Sequence, residues 1–352
     1  MKVVVTGAAG YVGSALAALL ASRGHYVIGV DNDARRLASL RRMPALRTAV
    51  ELHVCGLDEL VRTADLLAGA DALVHLAGMS SDAAADRDVQ ATHRINVDLA
   101  KDLALASREA GIMRFVLAST AAIYQVPVNH RLEHEIFYET DEPPLGEPVG
   151  SYSRSKLDAE RALAPLSNER FTVVVLRKGS LYGYSATMRW DLVINRMALN
   201  AWLGQPLVLH DLGAVWRPIA HVQDAARAYV HLLELPSWST NGLAFNLVER
   251  NARLSEVCLE VDDVLRSETH RSIVFQHGTS PRPQRTGRVS GESLRRVGWR
   301  PLHSLRSGVT DLLRRLESRQ VELPEEVLTR RGGRQGTAAA YHGTSARAAA
   351  GG

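Results

Sequence analysis

The stretch Thr6-Gly7-Ala8-Ala9-Gly10-Tyr11-Val12-Gly13 decides the fold of this 352-residue chain. It follows an apolar run, Lys2 to Val5, and opens a helical pattern from Val12 to Arg23. Glycines at 7, 10 and 13 in that setting let the backbone turn tightly after a strand. They bring a pyrophosphate against a helix N-terminus, where unpaired N–H groups and the dipole favour an anion. Tyr11 and Val12, inside the same motif, join Gly7, Gly10 and Gly13 as candidate cofactor-binding positions. Asp31 falls about 20 residues further on, at the end of the second apolar run, where a carboxylate accepts both ribose hydroxyls and repels a 2′-phosphate. Asn32, next to it, is assigned to the same end of the cofactor. NAD is therefore expected over NADP. Arg35 and Arg36 complicate the choice, because an arginine here can accommodate that phosphate; they are read as a solvated helix face.

Outward from this motif, strand patterns at Lys2–Thr6, Tyr26–Val30, Glu51–Val54, Ala72–Ala77, Arg114–Ser119 and Thr172–Leu176 alternate with helical ones at Val12–Arg23, Ile95–Ala110 and Ser153–Leu163. Such alternation predicts an α/β fold, a doubly wound parallel (Rossmann) sheet. Beyond Arg177 the pattern changes to a helix at Leu192–Leu203, short strands near Leu207–Leu209 and Ala244–Leu247, and helices near Leu254–Leu265 and Leu302–Arg319. This is expected to be a smaller mixed α/β substrate-binding lobe. A strand at Ile219–Val222 and a helix at Asp224–Leu235 look like a return to the first lobe. The expected division is thus a dinucleotide-binding domain at 1–177 with a return segment at about 214–240, and a substrate lobe at 178–213 and 241–329. Residues 330–352, rich in Arg, Gly and Ala without apolar periodicity, read as a disordered tail.

A second segment, Tyr152-Ser153-Arg154-Ser155-Lys156, carries the chemistry. With 9 tyrosines and only four lysines (Lys2, Lys101, Lys156, Lys178), a Tyr-x-x-x-Lys spacing arises by chance roughly 0.1 times. A tyrosine loses its proton near pH 10 and needs help to act as a base at neutral pH. Lys156, one helical turn away, is expected to lower that pKa, as does a positively charged nicotinamide ring. The phenolate then takes a proton from a substrate hydroxyl while hydride leaves for the cofactor. Thr120, after the strand Arg114–Ser119, is placed to hydrogen-bond the same oxygen.

Composition is that of an ordinary globular chain, 46% hydrophobic with a net charge of +4. Its arginines are scattered, with no basic run interleaved with aromatics, which argues against nucleic acid. Cys55 and Cys258 are too few and too far apart for a disulfide framework and read as buried small hydrophobes in a reducing compartment. No apolar stretch approaches the roughly 20 residues needed to span a bilayer, and the first strand leaves no room for a signal peptide, so a cytoplasmic protein is expected. His130 and His134 are four apart, as on a metal-binding helix, but lack a third ligand at recognisable spacing; no metal is expected.

Together these residues resemble the extended short-chain dehydrogenase/reductases, in the nucleotide-sugar epimerase/dehydratase branch typified by UDP-galactose 4-epimerase. The resemblance runs from Met1 to about Pro301. Supporting matches are His75-Leu76-Ala77-Gly78, Asn96 in Arg94-Ile95-Asn96-Val97, Leu117-Ala118-Ser119-Thr120-Ala121-Ala122-Ile123-Tyr124, Leu176-Arg177-Lys178-Gly179-Ser180-Leu181-Tyr182-Gly183 and Arg217-Pro218-Ile219-Ala220-His221-Val222-Gln223-Asp224. The resemblance implies that Leu76, Ala77 and Gly78 lie along the cofactor, that Asn96 supports the fold near it, and that Lys156 positions the nicotinamide ribose. It also implies that Arg217 and Arg285 clamp a substrate diphosphate, for which bidentate guanidinium forks are suited. An ordinary surface ion pair is the alternative for each arginine. Arg189 can face the substrate or pair with Asp191. The implied partner is a nucleotide-diphosphate sugar, and a homodimer is implied by analogy.

Departures from the branch pattern are equally informative. The acidic residue that binds adenine after strand three is displaced to Asp58, and Ser180 stands where an asparagine contacting the sugar phosphate is common. Ala121-Ala122 replaces the Asp-Glu pair that supplies acid and base in the 4,6-dehydratases. Two methyl groups transfer no proton. What remains supports oxidation at a carbinol with return of the hydride, which is epimerisation, expected at C4 through a 4-keto sugar. Plain reduction of a keto sugar or related carbonyl by NAD(P)H is the alternative. A non-catalytic dinucleotide-binding protein is the third reading, although the Tyr/Lys/Thr set is intact.

Overall fold

A computed structural model describes residues 1–323 and 327, apart from 44, 45, 47, 48, 64 and 280–283. The tail expected from residue 330 onward lies outside the described residues. In chain order the first elements are β1 (Lys2–Thr6), α1 (Tyr11–Ser22), β2 (Tyr26–Asp31), α2 (Ala34–Arg41), β3 (Val50–Val54), α3 (Leu57–Thr63), β4 (Ala72–His75), α4 (Asp82–Ala85) and α5 (Val89–His93). A π-helical turn, Arg94–Asp98, leads into α6 (Leu99–Glu109). There follow β5 (Arg114–Thr120), β6 (Val126–Pro127), β7 (Ile136–Phe137), α7 (Ser151–Leu163), β8 (Thr172–Lys178), β9 (Ser180–Tyr182), α8 (Val193–Trp202), β10 (Leu207–His210), β11 (Trp216–His221) and α9 (Val222–Glu234). The remainder comprises β12 (Ala244–Leu247), β13 (Arg250–Arg253), α10 (Leu254–Thr269), β14 (Phe275–Gly278), β15 (Arg285–Thr286), β16 (Arg288–Val289), α11 (Glu292–Arg296) and α12 (Leu305–Glu317).

Among the described residues, seven strands form one parallel sheet in the order β12-β8-β5-β4-β1-β2-β3. Its central strands are apolar on both faces, as a sheet covered on both sides requires; Val3, Val4 and Val5 are all fully buried. Because side chains alternate along a strand, Val3, Val5, Val74, Val116 and Val174 pack under α1 and α9 with Leu16, Leu20, Tyr229 and Leu232. Val4, Leu73, Phe115, Leu117 and Val173 face Leu103, Ala104, Ala159 and Leu163 of α6 and α7 on the other side. A second core, between α8, α10 and α12, holds Ile194, Val261, Leu265, Val309 and Leu312. No described helix is long and apolar enough to cross a membrane.

The structure corrects two expectations about the lobes. The strand Ala244–Leu247, expected in the smaller lobe, takes the edge of the main sheet as β12, in register with β8, with Gly179 N–H donating to the Leu247 carbonyl at 3.0 Å. A four-residue apolar pattern announces a strand but not its partner, which is chosen by contacts remote in sequence. The strand near Ile219–Val222 was expected to return to the first lobe. As β11 it pairs with β9 and β13 in a separate sheet, while α9, with Ala220 of β11, packs back on the main layer. The helix expected over Ile95–Ala110 is divided, its first turn widened into the π turn that carries Asn96.

Candidate active site

A cavity of about 1230 Å³ runs along the carboxyl ends of β1, β2, β4, β5 and β8, where ligands of open parallel sheets bind. Gly7 sits at φ +70°, and a Cβ there would meet the Ala77 backbone nitrogen at 2.8 Å. A Cβ on Gly13 would lie 2.0 Å from the Gly7 carbonyl oxygen. Only glycine lets the loop and the first turn of α1 close this tightly. Gly10 caps α1 without a side-chain hydrogen bond, and the first turn has no acidic residue. The helix therefore presents bare N–H groups and the positive end of its dipole, an arrangement that suits a pyrophosphate. The Asp31 carboxylate is fixed at the next strand end, Oδ2 accepting the Ala9 N–H and Oδ1 the Asp33 N–H, each at 3.0 Å. Asn32 and Asp58 line the cavity beside it. So does Arg36, which pairs with Asp33 at 3.2 Å; it borders the cavity instead of facing solvent alone. This glycine cradle, bare helix end and anchored carboxylate fit a dinucleotide.

Gly7, Gly10, Tyr11, Val12, Gly13, Leu76, Ala77 and Gly78 all line the same cavity. The Tyr11 side chain also ties α1 to the segment after β9, since its hydroxyl donates to the Gly183 carbonyl at 2.6 Å and accepts from Asn195 at 3.1 Å. Asn96 and Lys156 stand behind the wall. Asn96 accepts the Met79 N–H at 2.9 Å and donates to the Met79 carbonyl at 3.0 Å and to Ser155 Oγ at 2.9 Å, so it clamps the segment after β4 against α7.

Tyr152 lies in the first turn of α7, after Gly150 at φ +107°, and lines the cavity with Thr120 from the end of β5. The Thr120 hydroxyl acts on the Tyr152 phenol, and its Oγ1 accepts the Ala122 N–H at 3.1 Å. Burial pushes the Tyr152 phenol up to about 12, opposed by the Thr120 hydroxyl and the Arg189 charge. The Lys156 charge acts on His75 and Lys178, at the ends of β4 and β8. Burial lowers the Lys156 ammonium to about 8, with Glu160 opposing.

At the far end Ser180, Arg189, Arg217 and Arg285 line the cavity. Arg189 does both of the things open to it: it grips Asp191 with two contacts at 2.6 Å, donates to Ser80 Oγ at 3.0 Å, and faces the cavity. Arg217 donates to the Trp216 carbonyl at 2.9 Å and to that of Arg285. Its guanidinium is lowered to about 10 by burial and the nearby Arg285. Arg285 donates to the Val149 carbonyl at 2.5 Å and meets Asp82 at 3.4 Å. Ala121 and Ala122 form the wall next to Thr120. Sequence reasoning missed Asp82, Ser80 and Lys178 as cavity residues. The first two sit in a segment without a strong pattern, but Lys178 could have been found as a lysine ending a buried strand.

The model of the NAD dependent epimerase/dehydratase family matches residues 3–247. A Bacillus subtilis (strain 168) protein named as an uncharacterized UDP-glucose epimerase, YtcB, is 27% identical over 328 residues, covering 90% of this chain and 98% of its own. A Stigmatella aurantiaca 4-hydroxy-2-methyl-3-oxo-4-farnesyl-3,4-dihydroquinoline-1-oxide ketoreductase is 29% identical over 192 residues, 53% of this chain and 52% of its own. Among solved structures, the UDP-glucose-4-epimerase of Stenotrophomonas maltophila with bound NAD and formylated UDP-arabinopyranose shares the fold at TM-score 0.77 and 23% identity, over 91% of this chain and 100% of that one. With a cradle built for a dinucleotide and a tyrosine and a threonine lining the same cavity, this chain belongs to the NAD-dependent epimerase/dehydratase family and is an NAD-using enzyme of the extended short-chain dehydrogenase/reductase type.

Proposed function

We propose that the protein is a nucleotide-sugar epimerase that inverts C4 of a nucleoside-diphosphate hexose through a transient 4-keto sugar. The observation that carries this reading is the meeting of Tyr152 and Thr120 in one cavity whose neighbouring wall is Ala121 and Ala122. The glycine loop, the α1 N-terminus and Asp31 would hold NAD, which supplies a reversible hydride acceptor. Tyr152 would take the proton of the C4 hydroxyl and return it to the ketone oxygen, with Thr120 steadying that oxygen as charge develops. Arg217 and Arg285 would hold the diphosphate, and Arg189 and Ser180 the sugar end. Without a carboxylate at 121 or 122, water would not be eliminated from the keto sugar, so the hydride goes back to carbon. The reading extends to a cytoplasmic homodimer serving carbohydrate biosynthesis.

The likeness to the ketoreductase supports a second reading, reduction of a carbonyl substrate with NAD(P)H consumed. Incubation of purified protein with a panel of nucleotide sugars, followed by NMR of the C4 stereochemistry, tests the choice. Epimerised sugar with protein-bound NAD unconsumed supports the first reading; stoichiometric NAD(P)H oxidation without inversion supports the second.

A further inference from the structure

Lys178 is a half-buried lysine that the proposed chemistry does not use. It ends β8, directly opposite Thr120 in the β5–β8 register, and lines the cavity at the end occupied by Tyr152. Its polar contact is the Tyr229 hydroxyl at 3.4 Å, and no carboxylate among the described residues pairs with it. Burial, together with the charge of another cation, Lys156, lowers its ammonium to about 7. A cation partly withdrawn from water without a counter-charge is costly. Departures of this kind collect where a fold sacrifices stability to function.

We infer that Lys178 sets the oxidation poise of the bound nicotinamide, its ammonium disfavouring the oxidised ring, which carries a positive charge, relative to the reduced ring, which carries none. The inference rests on NAD occupying this cavity and on no particular sugar. The glycine loop and Asp31 fix the direction in which a dinucleotide lies, so the reacting ring is directed to the strand ends that carry Thr120 and Lys178. In a poorly screened interior, one cation beside another is repulsive enough to matter. Lys156 contributes from the α7 side, with Glu160 partly offsetting its charge; Lys178 contributes from the β8 side without such an offset. The consequence is a cofactor that accepts hydride more readily than it does in water.

The test is the pair of dissociation constants for NAD and NADH, measured by titration calorimetry at a pH just below the value of about 7 for Lys178. Their ratio reports the shift in potential without any turnover. Lys178→Met and Lys178→Gln are expected to bind NAD more tightly relative to NADH by about ten-fold, equal to about 30 mV for a two-electron couple. Lys178→Arg is expected to keep the wild-type ratio, and thermal melts of all variants confirm that they are folded. A ratio unchanged within two-fold in both neutral variants, or altered equally in Lys178→Arg, overturns the inference. Failure of every nucleotide sugar to react leaves this measurement intact and removes only the epimerase reading. Failure of the wild-type protein to bind either nucleotide overturns both.

Discussion

The Arg177 guanidinium and the Glu160 carboxylate meet at 2.6 Å inside the protein, joining the end of β8 to the middle of α7. Arg177 also donates to the Glu139 carbonyl at 3.1 Å and to the Tyr124 hydroxyl, and Ser119 donates to Glu160. The pair thus fixes the helix that carries Tyr152 to the sheet that carries Thr120. Glu160→Ala strands a buried guanidinium, for which the expected cost is about 3–5 kcal/mol, read as a lowered urea midpoint. Arg177→Met combined with Glu160→Leu should recover most of that loss, since the desolvation cost disappears with both charges.

Tyr152→Phe removes the proton-transferring oxygen and little else. Turnover should fall by about 10²–10⁴-fold, while NAD affinity measured by calorimetry stays within a few-fold of wild type. Undiminished turnover would end the assignment of Tyr152 as the base.

Asp31 is held by two backbone N–H groups before any ligand arrives, so its contribution to ribose binding carries little ordering cost. Asp31→Ala should weaken NAD binding by roughly 10–100-fold, the loss of one or two charge-assisted hydrogen bonds. Because Arg36 stands on the same rim, NADP should lose far less, and titration of both nucleotides checks this.

Gly13→Ala places a methyl 2.0 Å from the Gly7 carbonyl oxygen, backbone against backbone, where no rotamer relieves the contact. The expected outcome is a destabilisation of ~2 kcal/mol or more together with loss of NAD binding. Gly24→Ala serves as the control for stability alone: a Cβ there meets nothing within 4 Å, although the residue's φ of +77° still carries some strain.

Acid should destabilise the protein through buried histidines. His221, stacked on His303 at 4.3 Å and edge-on to Tyr182, is lowered to about 4 by burial and by His303, and His75 to about 3 by burial and the two lysines. The unfolded chain takes up these protons near pH 6.5 and the folded protein does not, so stability falls as pH drops from about 6.5 toward 4. His221→Asn keeps an acceptor for the Gln223 N–H that His221 now caps and removes one titrating ring. Urea melts across this range should show its acid-side slope reduced by up to about 1.4 kcal/mol per pH unit.

The main layer was legible because its signals are local. Gly7, Gly10 and Gly13 follow an apolar run and precede an amphipathic one, and Asp31 ends the next strand, so motif and context agree within a short window. Tyr152 and Thr120 were found the same way, and the structure brings them together although 31 intervening residues separate them in sequence. What was misread depends on partners distant along the chain. Nothing in Ala244–Leu247 says that β8 is its neighbour. The environment of Lys178 was invisible for the same reason: a lysine is ordinary until its neighbours are known to include another cation and no carboxylate partner.

The pairing of β12 with β8 also has a consequence for biogenesis. The nucleotide-binding layer is completed only after Leu247 has left the ribosome, so the nascent protein must keep the outer edge of β8 from other chains while the intervening segment is made. A fragment ending at residue 177 would expose that edge as a row of unpaired amides, an invitation to self-association, and so could not serve as a free-standing carrier of the cofactor.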